Sequence, residues 1–215
     1  QLHGLPITFQ ATAHAIVVNA RAERFCSEYD FNLGEALDRR DPLTGTAVNL
    51  PAWLIGDSRF LQSSPALRWY GAKDPNWMGR APTLSALAER IGLDPAALTA
   101  TVARWNGFCA AGRDADFQRG ESTWERYKSG WAAGEPRNPA LGVLERGGFV
   151  AVSFNRSILG TKGGPQTNTR GQGLREDGSP IPGLYCAGVA MANPIGTRAV
   201  GPGTTIGPCL TWGYI

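Results

Sequence analysis

Apolar and polar positions along this chain follow first a strand period, then a helix period, then short strands again. His14 to Asn19 (HAIVVN) is an apolar run that predicts a short strand, and Ala20 to Glu23 turns it toward Arg24-Phe25. Val48 to Ile55 (VNLPAWLI) predicts another. Its Pro51 cannot donate to a ladder, which argues for an edge strand or a bulge. Residues 61–82 read as loop-rich, with Pro65, Pro75, Gly79 and Pro82 as breakers. Leu84, Leu87, Ala88 and Ile91 then lie on one helical face, with Thr83 as N-cap and Gly92 as stop. Asp94-Pro95 opens a second helix, with Asp as cap, Pro at the first helical position and a buried stripe of Leu98, Val102 and Trp105. This helix pair reads as scaffold. Residues 110–147 (including DFQRGESTWERYKSGW) show no clear period, which suits a functional loop, a piece of an interface or a surface wrap.

Beyond Gly147 the elements shorten. Phe149 to Phe154 (FVAVSF) predicts a strand, Gly160-Thr161-Lys162-Gly163-Gly164 a tight turn, Asp177-Gly178 a hairpin, and Gly183 to Ala187 a buried strand. A glycine-rich loop, Gly196 to Gly203, leads to Thr204-Thr205 as N-cap candidates and a helix over Gly207–Ile215. Pro208 is tolerated there because first-turn amides lack intrahelical partners. This helix reaches the last residue without a C-cap signal, and the opening is as abrupt, so the sequence reads as a fragment.

Composition narrows the class. A 42% hydrophobic content over 215 residues can bury a core, as one large domain or one and a half. Charged residues are 18%, and the net charge of +3 is scattered; Arg21, Arg24, Arg39 and Arg40 are interleaved with acids. A nucleic-acid face needs denser basic charge, so none is expected. Cys26, Cys109, Cys186 and Cys209 form no C-x-x-C pair and have no neighbouring His, so no metal site is expected. They read as reduced core thiols in a cytoplasmic protein. No apolar run approaches the ~18 residues of a bilayer span, and no signal peptide is visible, so no transmembrane segment is expected.

The candidate chemistry sits at 183–212, where strand, glycine-rich loop and helix N-terminus follow one another. Glycines let backbone approach a planar or anionic ligand, and a helix N-terminus offers amide donors and about half a positive charge. On spacing alone the same pattern also describes a plain turn.

GLYCAGVAMANPIGTRAVGPGTTIGPCLTWGYI (183–215) resembles the C-terminal flavin segment of the fumarate reductase and 3-ketosteroid dehydrogenase flavoprotein superfamily. So do LGTKGGPQTN (159–168), DGSPIPGLYCAG (177–188), ARAERFCSE (20–28), PAWLIGDSRF (51–60), TLSALAERIGLDPAALTATVARWNGF (83–108) and DFQRGESTWERY (116–127). These segments run in order over most of the chain and are most similar to the 3-ketosteroid dehydrogenase-like branch.

The resemblance implies an α+β protein. Residues 1–147 would be mostly the substrate (cap) domain. Residues 148–215 would be the C-terminal strands and helix of a Rossmann-like FAD-binding domain whose N-terminal nucleotide-binding half, with its Gly-x-Gly-x-x-Gly element, is absent. The cofactor would be FAD, the partners a steroid-like ketone and the missing FAD-binding half, and this piece alone would be inactive. Flavin contacts would come from Gly163, Gly164, Ala187, Gly188, Gly201, Gly203, Thr204, Thr205 and Ile206. The Gly203 amide would hold the substrate carbonyl, Tyr29 would act in proton abstraction, and Arg198 would supply charge to a carbonyl or carboxylate. Two positions depart from the family. Ala199 stands where a carbonyl-polarising tyrosine is expected, and Val189 where Asn or Glu often bonds the ribityl chain. These departures keep two alternatives open: a catalytically inactive remnant or binding module, and a flavin enzyme acting on a carboxylate substrate.

Overall fold

The computed structural model describes residues 10–74, 76–156 and 160–215. Pro75 and Leu159, which figured in the motifs above, lie outside the described residues. The chain forms two compact units, 1–157 and 158–215.

The first unit runs β1 (Ala15–Val18), α1 (Gly34–Asp38), β2 (Ala52–Gly56), α2 (Ser58–Ser63), α3 (Pro65–Lys73), β3 (Met78–Ala81), α4 (Leu84–Ile91), α5 (Pro95–Ala111), α6 (Thr123–Ser129) and β4 (Phe149–Phe154). Its strands form one antiparallel sheet in the order β1-β2-β4-β3. Successive side chains on a strand point to opposite faces, and here both faces are covered. Ile16, Val18, Ile55, Phe149 and Ala151 join Leu87, Leu98, Val102 and Trp105 in one core. Ala15, Val17, Leu54, Val150 and Val152 join Leu37, Phe60 and Leu67 in the other. This is why these strands read as unbroken apolar runs.

The helix pair follows its caps. Thr83 accepts from the Ala86 amide and Asp94 from the Ala97 amide, at 3.2 and 2.6 Å, and Gly92 ends α4 in the left-handed conformation. Three expectations are corrected. β2 is an interior strand, not an edge, because Pro51 sits just before it and leaves the ladder intact. Much of 61–82 is ordered, because Pro65 takes the first turn of α3, where proline is tolerated. The 110–147 stretch contains α6, whose capping box pairs the Ser122 side chain with the Glu125 amide and the Glu125 side chain with the Ser122 amide.

The second unit contains β5 (Gln172–Leu174), β6 (Pro180–Tyr185), a 3-10 turn (Gly188–Ala190) and α7 (Ile206–Tyr214). The Asp177-Gly178 turn joins β5 and β6 as an antiparallel hairpin. Here β6 is largely exposed, not buried, since nothing covers most of the small hairpin among the described residues. Thr205 precedes α7 in right-handed helical conformation and makes no side-chain cap bond. The four cysteines are free thiols, but only Cys26 is buried, and Cys209 is exposed. No helix among the described residues is long and apolar enough to cross a membrane.

Candidate functional site

In the second unit, two backbone segments run against each other. Thr161 Oγ1 donates to the Val189 carbonyl at 2.7 Å, the Asn193 amide to the Lys162 carbonyl at 3.1 Å, and the Ala192 amide to the Pro165 carbonyl at 3.0 Å. Gly164 is required by this approach: a Cβ there would meet the Ala190 carbonyl oxygen at 2.7 Å. Gly163 and Gly164 thereby lie in a segment that runs against residues 189–193, which follow Ala187 and Gly188 in the chain. Gly188 in turn lies against α7, where a Cβ would run into the Cys209 side chain and meet its Cα at 3.1 Å. The Gly188–Ala190 turn and the helix are thus packed together.

At the head of α7 the Gly207 amide donates to the Gly203 carbonyl at 2.8 Å. Gly203 holds φ +88°, and no atom lies within 4 Å of a Cβ built there or on Gly201. Thr205 is the N-cap of α7 and Thr204 precedes it, so with no side-chain cap the first-turn amide of Ile206 keeps the donor character of a helix start.

Two donors in this unit are buried with no acceptor among the described residues: Lys162 Nζ and Trp212 Nε1. Burying a polar group without a hydrogen bond is costly, and burying a charge more so. An acceptor-rich planar group such as the flavin of FAD complements such donors. The open backbone at Gly201 and Gly203 can approach it. Residues that fit this cofactor are therefore present.

Arg198 is exposed in the second unit, whereas Tyr29 and a buried network of charged groups lie in the first. Arg24 bridges Glu28 and Asp114, each at 2.9 Å, and Arg119 pairs with Glu28 at 3.1 Å. Glu28 also accepts the Val17 amide at 3.0 Å. Arg119 further donates to the Ala15 and Thr12 carbonyls, both at 2.7 Å. Burial works against the Glu28 carboxylate, but the two guanidiniums hold its pKa below the ordinary value. Asp114 is lowered in the same way, burial being outweighed by Arg24 and by backbone amides.

Tyr29 is buried with its ring 4.8 Å from the Arg119 guanidinium. Burial pushes its phenol pKa up, with Arg119 opposing. Ser27 donates to Glu125, so α6 is docked two residues from Tyr29, and Phe31 meets Trp124 edge-on at 4.9 Å.

The network escaped the sequence reading, although Arg119 and Glu125 sat inside the quoted DFQRGESTWERY. The S-x-x-E spacing of Ser122 and Glu125 was the available signal for α6. Lys162 lies within the Gly160–Gly164 turn. A lysine within a glycine turn was its only mark.

The family described as FAD binding domain matches residues 11–206. The chain is 37% identical to 3-oxosteroid 1-dehydrogenase of Mycolicibacterium smegmatis, over 94% of this chain and 37% of the relative. It is 35% identical to 4-oxocyclohexanecarboxylate 2-dehydrogenase of Sinomonas cyclohexanicum, over 94% of this chain and 35% of the relative. Among solved structures it is similar to 3-ketosteroid delta1-dehydrogenase from Sterolibacterium denitrificans, in complex with 1,4-androstadiene-3,17-dione. That match has a TM-score of 0.81 and 30% identity, over 100% of this chain and 40% of the other. The chain spans little more than a third of the length of these relatives.

Proposed function

The chain belongs to the FAD binding domain family, and on that premise we propose that it is part of an FAD-dependent oxidoreductase that dehydrogenates a ketone-bearing, 3-ketosteroid-like ring. In this reading residues 1–147 are mostly the substrate domain, and residues 148–215 return to an FAD domain whose other half is the partner of this piece.

One observation carries the reading: in the unit where the Gly188–Ala190 turn packs on α7, the donors Lys162 Nζ and Trp212 Nε1 are buried with no acceptor among the described residues. Gly163, Gly164, Ala187, Gly188, Gly201 and the Thr204–Ile206 amides would hold the flavin. FAD, when bound, supplies the hydride acceptor. The Gly203 amide would donate to the substrate carbonyl and stabilise the charge that grows there as the neighbouring carbon loses its proton. Tyr29 would take part in moving that proton. An unperturbed tyrosine has a pKa of about 10, and burial pushes Tyr29 further up, so at neutral pH it would work as a phenol within a relay.

A second reading has a specific basis. Ala199 removes the expected tyrosine hydroxyl, Arg198 adjoins it, and one relative is named for a carboxylate-bearing ring ketone. A small ring ketone carrying a carboxylate would use Arg198 where a steroid would not.

The test is the visible spectrum of the full-length parent as purified. A yellow protein with bound FAD is expected, and a colourless protein that takes up no FAD overturns the reading.

A further inference from the structure

Resting on the FAD reading above, we infer that the Lys162 side chain serves an oxygen acceptor on the flavin's pyrimidine edge and favours the reduced cofactor. The backbone around Lys162 is fixed: its carbonyl accepts the Asn193 amide at 3.1 Å, and its neighbour Thr161 bonds the Val189 carbonyl at 2.7 Å. The side-chain nitrogen is nevertheless buried with no acceptor among the described residues.

Among the described residues of the first unit, the buried guanidiniums are paired, with Arg119 Nε alone left without an acceptor. Arg24 has Glu28 and Asp114, and Arg119 has Glu28 and two carbonyls. Lys162 differs from these in that its nitrogen, with three donors to place and no acceptor of its own, has no partner among the described residues. Such a group calls for an electron-rich oxygen from outside the chain.

Within an FAD molecule the candidate oxygens are those of the pyrophosphate, ribityl chain and pyrimidine ring. The pyrophosphate belongs to the Gly-x-Gly-x-x-Gly type of element, which this sequence lacks. The Lys162 loop is hydrogen-bonded to the Val189–Asn193 segment, which continues into the glycine-rich loop before α7. Both the loop and the helix start suit the ring. Negative charge appears on the pyrimidine edge only on reduction, so a nearby cation binds the reduced ring more tightly than the oxidised one.

The experiment uses the full-length parent with Lys162→Met, Lys162→Gln and Lys162→Arg variants. Two quantities are measured without substrate: the flavin midpoint potential, and the melting temperature with and without FAD. For Lys162→Met we expect flavin to remain bound and its preference for the reduced form to fall about tenfold, which is about 30 mV lower for a two-electron couple. The melting-temperature rise on adding FAD should shrink, while Lys162→Arg should retain both properties. If Lys162→Met fails to fold, Lys162→Gln reports the potential.

A neutral variant that binds FAD with the wild-type potential overturns the inference and leaves the FAD reading standing. A wild-type potential combined with a raised KM for a carboxylate substrate also overturns it, assigning the lysine to substrate. A wild-type parent that takes up no FAD sinks both.

Discussion

Arg119 and Glu28 meet at 3.1 Å with both side chains fully buried, ninety-one positions apart in the chain. Glu28 also receives Arg24 and the Val17 amide, so one carboxylate ties β1, the turn after it and the 114–120 loop together. Removing it leaves the Arg119 guanidinium buried without its carboxylate, on the Ala15 and Thr12 carbonyls alone, and Arg24 with Asp114 alone of its two acids. Breaking a buried pair in this way costs about 3–5 kcal/mol. Glu28→Ala should therefore lower the stability of the first unit by about that amount or prevent its folding, as read from urea unfolding. Wild-type stability in the variant would show that the pair holds nothing.

The same carboxylates set an acid limit. Glu28 and Asp114 have folded pKa values held below their ordinary ones. A depressed folded pKa contributes stability above the unfolded value, and loses it as pH falls through the folded value. With unfolded values of about 4.3 for Glu and 3.9 for Asp, thermal stability should be flat near neutrality on their account and fall steeply below about pH 4. Melting temperatures across that range check this, and the slope should flatten in Glu28→Gln.

Trp105 donates from Nε1 to the Gly142 carbonyl at 2.9 Å, and its ring faces both Arg24 and Arg119. Replacing it with Phe keeps a ring but leaves that carbonyl unpaired in a buried site. An unsatisfied buried acceptor costs about 1–3 kcal/mol. Chemical denaturation of Trp105→Phe should show a loss in that range, with the fold kept by circular dichroism.

Two glycines of the second unit should behave in opposite ways. Gly188 has φ +62° and lies against Cys209, whereas nothing lies within 4 Å of a Cβ on Gly163. Overpacking costs about 1–3 kcal/mol, and a left-handed backbone adds to it. In the full-length parent, Gly188→Ala should lower both stability and FAD content, and Gly163→Ala should change stability little. Equal effects would remove the basis for treating Gly188 and α7 as one packed piece.

Arg198 separates the two substrate readings. Arg198→Ala should raise KM strongly for a carboxylate-bearing ring ketone and leave KM for a steroid ketone nearly unchanged. Steady-state kinetics of the parent with an artificial electron acceptor measures both.

Periodicity and capping are local properties, and they were legible from residue order. The strands at 15–18 and 149–154, the helices at 84–91 and 95–111 with their Thr83 and Asp94 caps, and the hairpin at Asp177-Gly178 all follow from neighbours a few positions apart. The ordered family motifs were likewise visible. Which strand is interior was not, because β2 owes its place to pairing with β1 and β4, both distant in the chain. Nor was the choice of Glu28 as the partner of Arg119, or the burial of Lys162 Nζ without an acceptor among the described residues. Those are relations across space: a charge finds its partner, or lacks one, only after folding removes water from around it.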